Sequence, residues 1–238
     1  MKRLLPKTLV LSFDSDYAED VQQYDYILAL LKKHQVKASW ACVGRLVEEF
    51  PEEHKRIVRD GHEILNHSLN HPDDFRSLNR KAVLEEVCGG EIMIRNILGI
   101  IPKGFRIPHF GKNFSFEIQH WLANWGFEYD SSAMCMSVIR TKPFKKNNMI
   151  EFPISTCPQH VFTAFDTWHS FRSKKGAAHT PDGFLKNFEK MLRTRQYINI
   201  YLDPQDCPKF DFERMLTLIK EHGWRTRTYE ELVTELKE

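Results

Sequence analysis

Short apolar runs and longer segments with helical spacing alternate along the chain. Residues 8–13 (TLVLSF) are continuously apolar, which is typical of a strand buried on both faces of a parallel sheet. In residues 21–34, apolar side chains recur at the three- and four-residue spacing of an amphipathic helix. The same patterns predict strands at 36–44, 62–67, 104–108, 127–132, 149–155 and 197–204, and helices at 45–59, 80–99, 116–126, 183–195 and 212–223. A short strand and a last helix are predicted from residue 224 onward, and residues 156–181 are predicted to form loops.

This alternation predicts an α/β fold. Strands that alternate with helices pair in parallel through right-handed crossovers. About seven such units in 238 residues favour a barrel over an open sheet. We find no internal repeat, linker or low-complexity segment, so residues 1–238 are predicted to form a single domain. The pair Gly89-Gly90 is expected to weaken the helix at 80–99.

Composition and charge exclude several classes of function. The 34 basic and 32 acidic residues give a net charge of +2, which is too balanced to indicate a nucleic-acid or anionic-membrane partner. No apolar stretch approaches the roughly 18 residues that a membrane span requires. The basic runs at 144–148 and 171–176 are interpreted as solvated loops. Oligomeric state cannot be read from the sequence.

The cysteines and the N-terminal residues indicate the cellular compartment in which the protein is expected. Five scattered cysteines show no CxxC spacing, so neither a cysteine zinc site nor a disulfide framework is indicated. The first residues lack an uninterrupted apolar segment and a small-residue cleavage site, so no signal peptide is predicted. We therefore expect a reducing compartment and a cytoplasmic protein.

Two histidines four residues apart suggest a metal site. His67 and His71 follow the predicted strand at 62–67, and this spacing is most simply interpreted as one face of a helical turn. Both imidazoles would then reach one divalent ion. Eleven histidines in the chain would also give some such pairs by chance, so the pair alone does not decide.

Polar residues recur where the predicted strands end. Active sites of parallel barrels lie at the carboxyl ends of the strands. The residues at these ends are Asp14 and Asp16, His67 and His71, Arg106 and His109, Asp130, and Asp203. Buried carboxylates there are costly unless they are paired or bound to metal. Asp16, His67 and His71 together supply a set typical of catalytic zinc, with cobalt, nickel or iron as further possibilities. Asp14 would face the same rim as a proton acceptor, oriented by Arg106.

The motifs resemble those of the polysaccharide deacetylases, the metal-dependent carbohydrate esterases of family four. The segment GHEILNHSLNHP resembles the family's H-[ST]-x-x-H motif, and FRIPHFG resembles its R-x-P-[YF] segment. GFEYDSS and IEFPIS resemble later segments, and the pair Asp14-Ser15-Asp16 is similar to a D-x-D branch of the family. The resemblance implies a distorted, incomplete barrel of seven or eight β/α units. It also implies Asp14 as catalytic base, Arg106 as its partner, and Asp16, His67 and His71 as ligands of one divalent ion, zinc before the others.

One segment departs from that family. The family has a leucine, one further residue and then the histidine that donates a proton, or an LHP-like segment. This chain has YLDP, so Asp203, directly after Leu202, stands where that histidine is expected. An aspartate is a poor donor at neutral pH unless burial or a neighbour, such as Asp130, raises its pKa. An imidazole from elsewhere is the alternative: His169, or else His109 or His179.

The resemblance implies hydrolysis of an N-acyl group, most simply N-acetyl, on a sugar. A cytoplasmic location favours a small or precursor sugar, in surface-polysaccharide assembly for example. Hydrolysis of a cyclic imide or ureide, and non-catalytic binding of carbohydrate, are the alternatives. Trp40, Phe110 and Trp168 are candidates to stack on a sugar. The residues expected to contact substrate are Pro108, His109, Asp130, Trp168 and Leu202.

Overall fold

Nine strands form one curled, open sheet in the computed structural model, which describes residues 7–135, 142–173 and 179–237. The strands are β1 (Thr8–Ser15), β2 (Ser39–Cys42), β3 (Glu63–Asn66), β4 (Gly104–Phe105), β5 (Tyr129–Asp130), β6 (Phe144–Lys146), β7 (Met149–Glu151), β8 (Tyr197–Leu202) and β9 (Arg225–Thr226). Their order is β6-β7-β5-β4-β3-β2-β1-β8, and β9 pairs with the start of β1. Only β6 and β7 pair antiparallel among these strands. The predicted distorted, incomplete α/β barrel is confirmed.

Helices cover the outer face of this sheet. They are α1 (Ala18–Val21), α2 (Tyr24–His34), α3 (Gly44–Glu49), α4 (Pro51–Arg59), α5 (Arg80–Leu98), α6 (Phe116–Asn124), α7 (Pro181–Thr194), α8 (Phe212–Glu221) and α9 (Tyr229–Lys237). Short 3-10 turns lie at Phe75–Ser77, Phe110–Lys112 and Pro204–Lys209, and a π-helical turn at Trp168–Arg172. None of the helices among the described residues combines the length and apolar character that a membrane span requires.

Successive side chains of β1 point alternately to the outer apolar core and to the barrel interior. Leu9, Leu11 and Phe13 pack in the large apolar cluster against the outer helices. The alternate residues, which face the barrel interior, change from apolar to polar along the strand: Val10 packs in the inner cluster, and Ser12 and Asp14 follow it. The period of two along a strand therefore places Asp14 inside the barrel, near the carboxyl end of β1.

Several predicted elements differ in detail from the structure. The helix predicted at 45–59 is two helices, because Pro51 occupies the first turn of α4. The run at 144–148, interpreted as a loop, contains β6 and the turn of a hairpin with β7. Asn147 and Asn148 have φ of 51° and 61° in that turn, a conformation that asparagine tolerates well.

Helix α5 is continuous through Gly89 and Gly90, contrary to the predicted weakness. These glycines let α5 approach the segment that follows β3. A Cβ at Gly90 would lie 2.4 Å from Asn66 Oδ1 and 2.8 Å from the Ser68 carbonyl oxygen. At Gly89 the nearest atoms belong to the side chain of Leu69, at 2.7 Å and beyond. The packing, rather than helix propensity, explains the glycine pair.

This packing predicts different losses of stability from one added methyl group at two adjacent positions. Gly90→Ala should destabilise the protein by about 1–3 kcal/mol, because the methyl group meets fixed backbone and a buried amide. On propensity alone the same change would stabilise the helix by about 1 kcal/mol. Gly89→Ala is the matched control and should cost less, because the Leu69 side chain can move. Urea unfolding of both variants measures the difference, and a stabilised Gly90→Ala protein would contradict this explanation.

Candidate metal centre and catalytic cleft

Three predicted ligands converge at the carboxyl ends of β1 and β3. Asp16 Oδ1 lies 3.3 Å from His67 Nε2 and 3.4 Å from His71 Nε2, and the three donor atoms all lie within 4.8 Å of one another. Within the described part of the chain, the buried atoms Asp16 Oδ1 and His71 Nε2 make no hydrogen bond. Buried polar atoms left unpaired in this way are costly, and a shared cation would satisfy both. The three residues therefore fit a divalent metal ion.

The protonation of the two imidazoles suits metal binding. His67 Nδ1 lies 2.7 Å from the Arg106 carbonyl oxygen, so it donates its proton there and leaves the lone pair of Nε2 free. Burial lowers the pKa of His71 to about 4, so this ring is neutral at physiological pH. Although burial opposes it, the neighbouring imidazoles of His71 and His67 hold the pKa of Asp16 below its ordinary value. Although burial opposes it, Asp16 raises the pKa of His67. An ion bound at Nε2 would therefore displace the proton shared with Asp16, and the set would then offer one carboxylate and two neutral nitrogens.

The two histidines do not lie on a helical turn, so that prediction is wrong. Residues 67–71 form a loop in which Ser68 and His71 have φ of 68° and 56°. Ser68 N–H donates to Asn66 Oδ1, and His71 N–H donates to Ser68 Oγ, at 2.9 and 3.0 Å. The convergence of the two rings comes from this folded loop rather than from helical periodicity.

Neighbouring helices fix the same loop. The Ser68 carbonyl oxygen accepts from Gly44 N–H at the start of α3, at 2.9 Å. From α5, Glu86 Oε2 accepts the N–H groups of Leu69 and Asn70, at 3.1 and 2.9 Å. The loop therefore has partners for its strained backbone before any ligand binds.

Asp14 forms a buried ion pair with Arg106, as the sequence predicted. Arg106 Nη1 donates to Asp14 Oδ1, and the Arg106 side chain is fully buried. Burial raises the pKa of Asp14 above its ordinary value, while Arg106 opposes that rise. A carboxylate with a raised pKa is a stronger base, which suits proton abstraction from water.

The rest of the Arg106 guanidinium is also paired. Its Nε donates to the Ser131 carbonyl oxygen at 3.0 Å, and Nη2 donates to Tyr229 Oη at 2.6 Å and to Ser12 Oγ at 3.0 Å. Tyr229 in turn donates to Asn199 Oδ1 at 2.7 Å. The guanidinium position is set by β1, β8, α9 and the segment after β5.

Asp130 is not a neighbour of Asp203 and does not face the cleft, which corrects both expectations for it. It is fully buried, and Ser132 Oγ donates to its Oδ1 at 2.5 Å. Burial raises the pKa of Asp130 to about 6, and it raises that of the adjacent Glu151 well above normal. Glu151 accepts from the N–H groups of Ser132 and Ala133. This acid pair therefore braces the backbone beside Ser131 rather than contacting substrate.

Asp203 lines the cleft but is already engaged. Its Oδ2 accepts from Thr167 Oγ1 and pairs with Arg172 Nη2, both at 2.9 Å. Burial raises the pKa of Asp203 well above normal, and Arg172 opposes the shift. The charges that raise it further are Asp16, Asp20 and Asp166.

His169 forms a dyad that sequence reasoning found only in part. Its Nδ1 lies 2.7 Å from Asp166 Oδ2, and its backbone N–H donates to Asp166 Oδ1 at 2.7 Å. The imidazole remains partly exposed, whereas Asp166 is fully buried. Asp166 was not predicted, although the Asp-x-x-His spacing in DTWH was available as a signal. A carboxylate at Nδ1 orients the ring and leaves Nε2 for chemistry.

A cavity of about 560 Å³ joins these groups. It is lined by Asp14, Asp16, Tyr17, His67, Asp73, His109, Phe110, Gly111, Lys112, Met134, Trp168, His169, Arg172, Tyr201 and Asp203. The volume lies within the range of small-molecule sites. Of the residues expected to contact substrate, His109 and Trp168 line it, and the Trp168 side chain is exposed.

The remaining expected contacts are wrong. Pro108 is buried and does not line the cavity, and Leu202 lies in the outer core cluster. Trp40 is fully buried and stacks on Phe13, with ring centroids 4.4 Å apart. His179, an alternative proton donor, lies outside the lining, beside Cys157. Their sequence positions near strand ends did not reveal which way each side chain turns.

The chain matches the family model for polysaccharide deacetylases over residues 2–129. Among curated proteins, a peptidoglycan-N-acetylglucosamine deacetylase of Bacillus cereus is 33% identical over 101 residues, 42% of this chain and 36% of that protein. Matches to the first curated relatives span about a third of their length.

Solved structures share the fold at low sequence identity. A Mycobacterium smegmatis protein assigned to the polysaccharide deacetylases superposes with a TM-score of 0.83 at 16% identity, covering 100% of this chain and 92% of that one. A family-four pseudoenzyme from Bacillus anthracis gives a TM-score of 0.70 at 20% identity, covering 97% and 66%.

The buried ion pair predicts strong coupling between its two members. Arg106→Gln should cost about 3–5 kcal/mol of stability, because it leaves Asp14 buried without its partner. The double variant Asp14→Asn/Arg106→Gln should lose less than the sum of the two single losses. Urea unfolding in the presence of chelator measures the cycle.

An exposed pair serves as the control for this cycle. Arg56 and Asp25 pair on the surface, so Arg56→Gln should change stability by no more than about 1 kcal/mol. Additive losses for Asp14 and Arg106 would show that the buried pair is not coupled as described.

Proposed function

Because the chain belongs to the polysaccharide deacetylase family, we propose that it is a metal-dependent hydrolase that removes an N-acyl group, most simply N-acetyl, from a sugar or sugar precursor. One observation carries the proposal. Asp14, Asp16 and His67 line one cavity, Arg106 pairs with Asp14 from behind it, and His71 completes the ligand set. A pure binding protein would not require a buried base held by a guanidinium.

Asp16, His67 and His71 would hold one divalent ion, zinc before cobalt, nickel or iron. When bound, such an ion supplies Lewis-acid chemistry to the acyl carbonyl and to the attacking water. Asp14 Oδ takes the proton from that water, and Arg106 keeps the carboxylate oriented toward the cleft. Proton abstraction by a positioned base typically contributes about 10²–10⁴ in rate.

His169 donates the proton that the leaving amine requires. Its Nδ1 is held by Asp166, so the Nε2 side can carry a proton to a bound group. Asp203 is the weaker candidate because the Arg172 guanidinium and the Thr167 hydroxyl already bind its Oδ2. In this account Asp203 positions Arg172 at the wall of the cleft.

The cavity also supports a sugar as substrate. Trp168 is 43% exposed, and Phe110 and Tyr201 line the same space with their rings in edge contact, 4.9 Å between centroids. The exposed Trp168 ring and the nearby carboxylates suit a ligand ring with apolar faces and hydroxyl edges. His109, held by Asp73 at 3.0 Å, contributes a polar group to the rim.

We also propose a cytoplasmic role in surface-polysaccharide assembly. The free cysteines among the described residues are consistent with a reducing compartment. A nucleotide- or lipid-linked N-acetyl sugar would then be the substrate class.

Acetate release tests the proposal directly. Protein loaded with zinc should release acetate from N-acetylglucosamine oligomers or nucleotide-linked N-acetyl sugars, and chelator should abolish this. Asp14→Asn should retain the metal and lose about 10²-fold or more in rate. Turnover of a five- or six-membered cyclic imide, without acetate release, would show the other amidohydrolase chemistry. A metal-loaded protein that turns over neither substrate class would leave only a binding role.

Leaving-group dependence tests the assignment of His169. An amide leaving group needs a proton, whereas 4-nitrophenolate leaves without one. His169→Gln should therefore lose at least about 10²-fold on an N-acetyl sugar and much less on 4-nitrophenyl acetate. Asp203→Asn is the matched variant from the same wall and should not discriminate between the two substrates. Equal losses of His169→Gln on amide and ester would assign the proton donor elsewhere.

A further inference from the structure

A second cluster of metal-ligating side chains lies away from the catalytic cleft. Cys157 Sγ is 3.4 Å from His179 Nε2 and 3.8 Å from His160 Nδ1, and the three atoms lie within 4.8 Å of one another. None of these residues lines the cavity described above. The cluster shares no residue with Asp16, His67 and His71.

The distances match those of a zinc ion with sulfur and nitrogen ligands. Zinc–sulfur and zinc–nitrogen bonds of about 2.3 and 2.1 Å at a tetrahedral angle place sulfur and nitrogen about 3.6 Å apart. The two observed separations, 3.4 and 3.8 Å, lie on either side of that value. Small movements of these side chains would therefore bring their donor atoms to bonding distance of one ion. A fourth coordination position would remain for water.

Local structure holds the donors together before any ion binds. Cys157 and His160 belong to a tight loop, closed by hydrogen bonds from Cys157 N–H to the Thr163 carbonyl oxygen and from Thr163 N–H to the His160 carbonyl oxygen, both 2.9 Å. His179 comes from the residues just before α7, and its N–H donates to the Ser170 carbonyl oxygen at 3.0 Å. Cysteine sulfur and histidine nitrogen are both usual ligands of zinc.

The state of His179 and the chemistry of the thiol both permit binding. Burial and the neighbouring His160 lower the pKa of His179, which keeps its imidazole neutral. The Cys157 side chain is buried, and its thiol would release one proton to solvent when the sulfur ligates the ion.

We propose that Cys157, His160 and His179 form a second site for a thiophilic divalent ion such as zinc, separate from the catalytic centre. The ion would join two points of the chain, and the segment between them carries Asp166, Trp168, His169 and Arg172 at the wall of the cleft. Such an ion would hold the two ends of this segment together and so fix the wall that presents His169. The site does not depend on the proposed deacetylation.

Cobalt(II) titration of the metal-free full chain distinguishes the two sites. Only a site that contains Cys157 can give thiolate-to-cobalt charge-transfer absorption, because Asp16, His67 and His71 supply no sulfur. We expect this near-ultraviolet band to saturate with one equivalent of cobalt, and a second equivalent to bind without adding to it. Cys157→Ser should abolish the band and one equivalent of binding, whereas Asp16→Ala should keep the band.

Cys88→Ser is the matched control, because Cys88 is a free cysteine on α5 outside the cluster. This variant should keep the full band and show that the signal does not arise from an unrelated thiol. No band in the wild type, or a band that survives in Cys157→Ser, would overturn the second site while leaving the catalytic metal site untouched. Loss of one cobalt equivalent in Asp16→Ala with the band intact would support both sites, whereas full cobalt binding by Asp16→Ala would count against the proposed catalytic metal site alone.

Discussion

The buried guanidinium of Arg106 is the constraint on which the rest of the site depends. A charged group without solvent costs several kcal/mol unless every donor is paired. Arg106 meets this condition through Asp14, Ser12, Ser131 and Tyr229, which come from distant parts of the chain. Distant parts of the chain therefore have to meet around this guanidinium inside the barrel. The same pairing holds Asp14 in place, with its side chain lining the cleft. The Arg106 carbonyl oxygen also accepts from His67, so the same residue orients a metal ligand.

The positions of the chemistry were predictable because strand ends in parallel sheets share an edge. Asp14, Asp16, His67, His71 and Arg106 could all be placed on one rim from alternation and spacing. What failed was any inference that depended on side-chain direction or on packing between distant segments. The loop at 67–71 is shaped by Gly44, Glu86 and Gly90 on two helices, and no local pattern indicates that. Asp130 and Leu202 likewise turned out to be core residues, because one residue of register decides which face a strand residue occupies.

The segment predicted as loops carries more function than its sequence suggested. It supplies His169 and Arg172 to the lining of the cleft, with Asp166 buried behind His169. It also contains, near its start, the Cys-x-x-His pair that a search for CxxC spacing overlooks. Asp203 stands where the resemblance led us to expect a proton-donating histidine, and the same wall offers the imidazole of His169, which Asp166 orients. On this wall of the cleft, Asp203 binds Arg172, and the His169 ring remains partly exposed.

The central claim is that Asp16, His67 and His71 hold a divalent ion beside the Asp14–Arg106 pair. An anomalous difference map at the zinc edge, from crystals grown with zinc, tests it most directly. We expect a peak about 2.0–2.2 Å from one Asp16 oxygen and from the Nε2 atoms of His67 and His71. A map with no peak between three ordered side chains would contradict it, and His67 and His71 would then be only polar neighbours at the rim of the barrel.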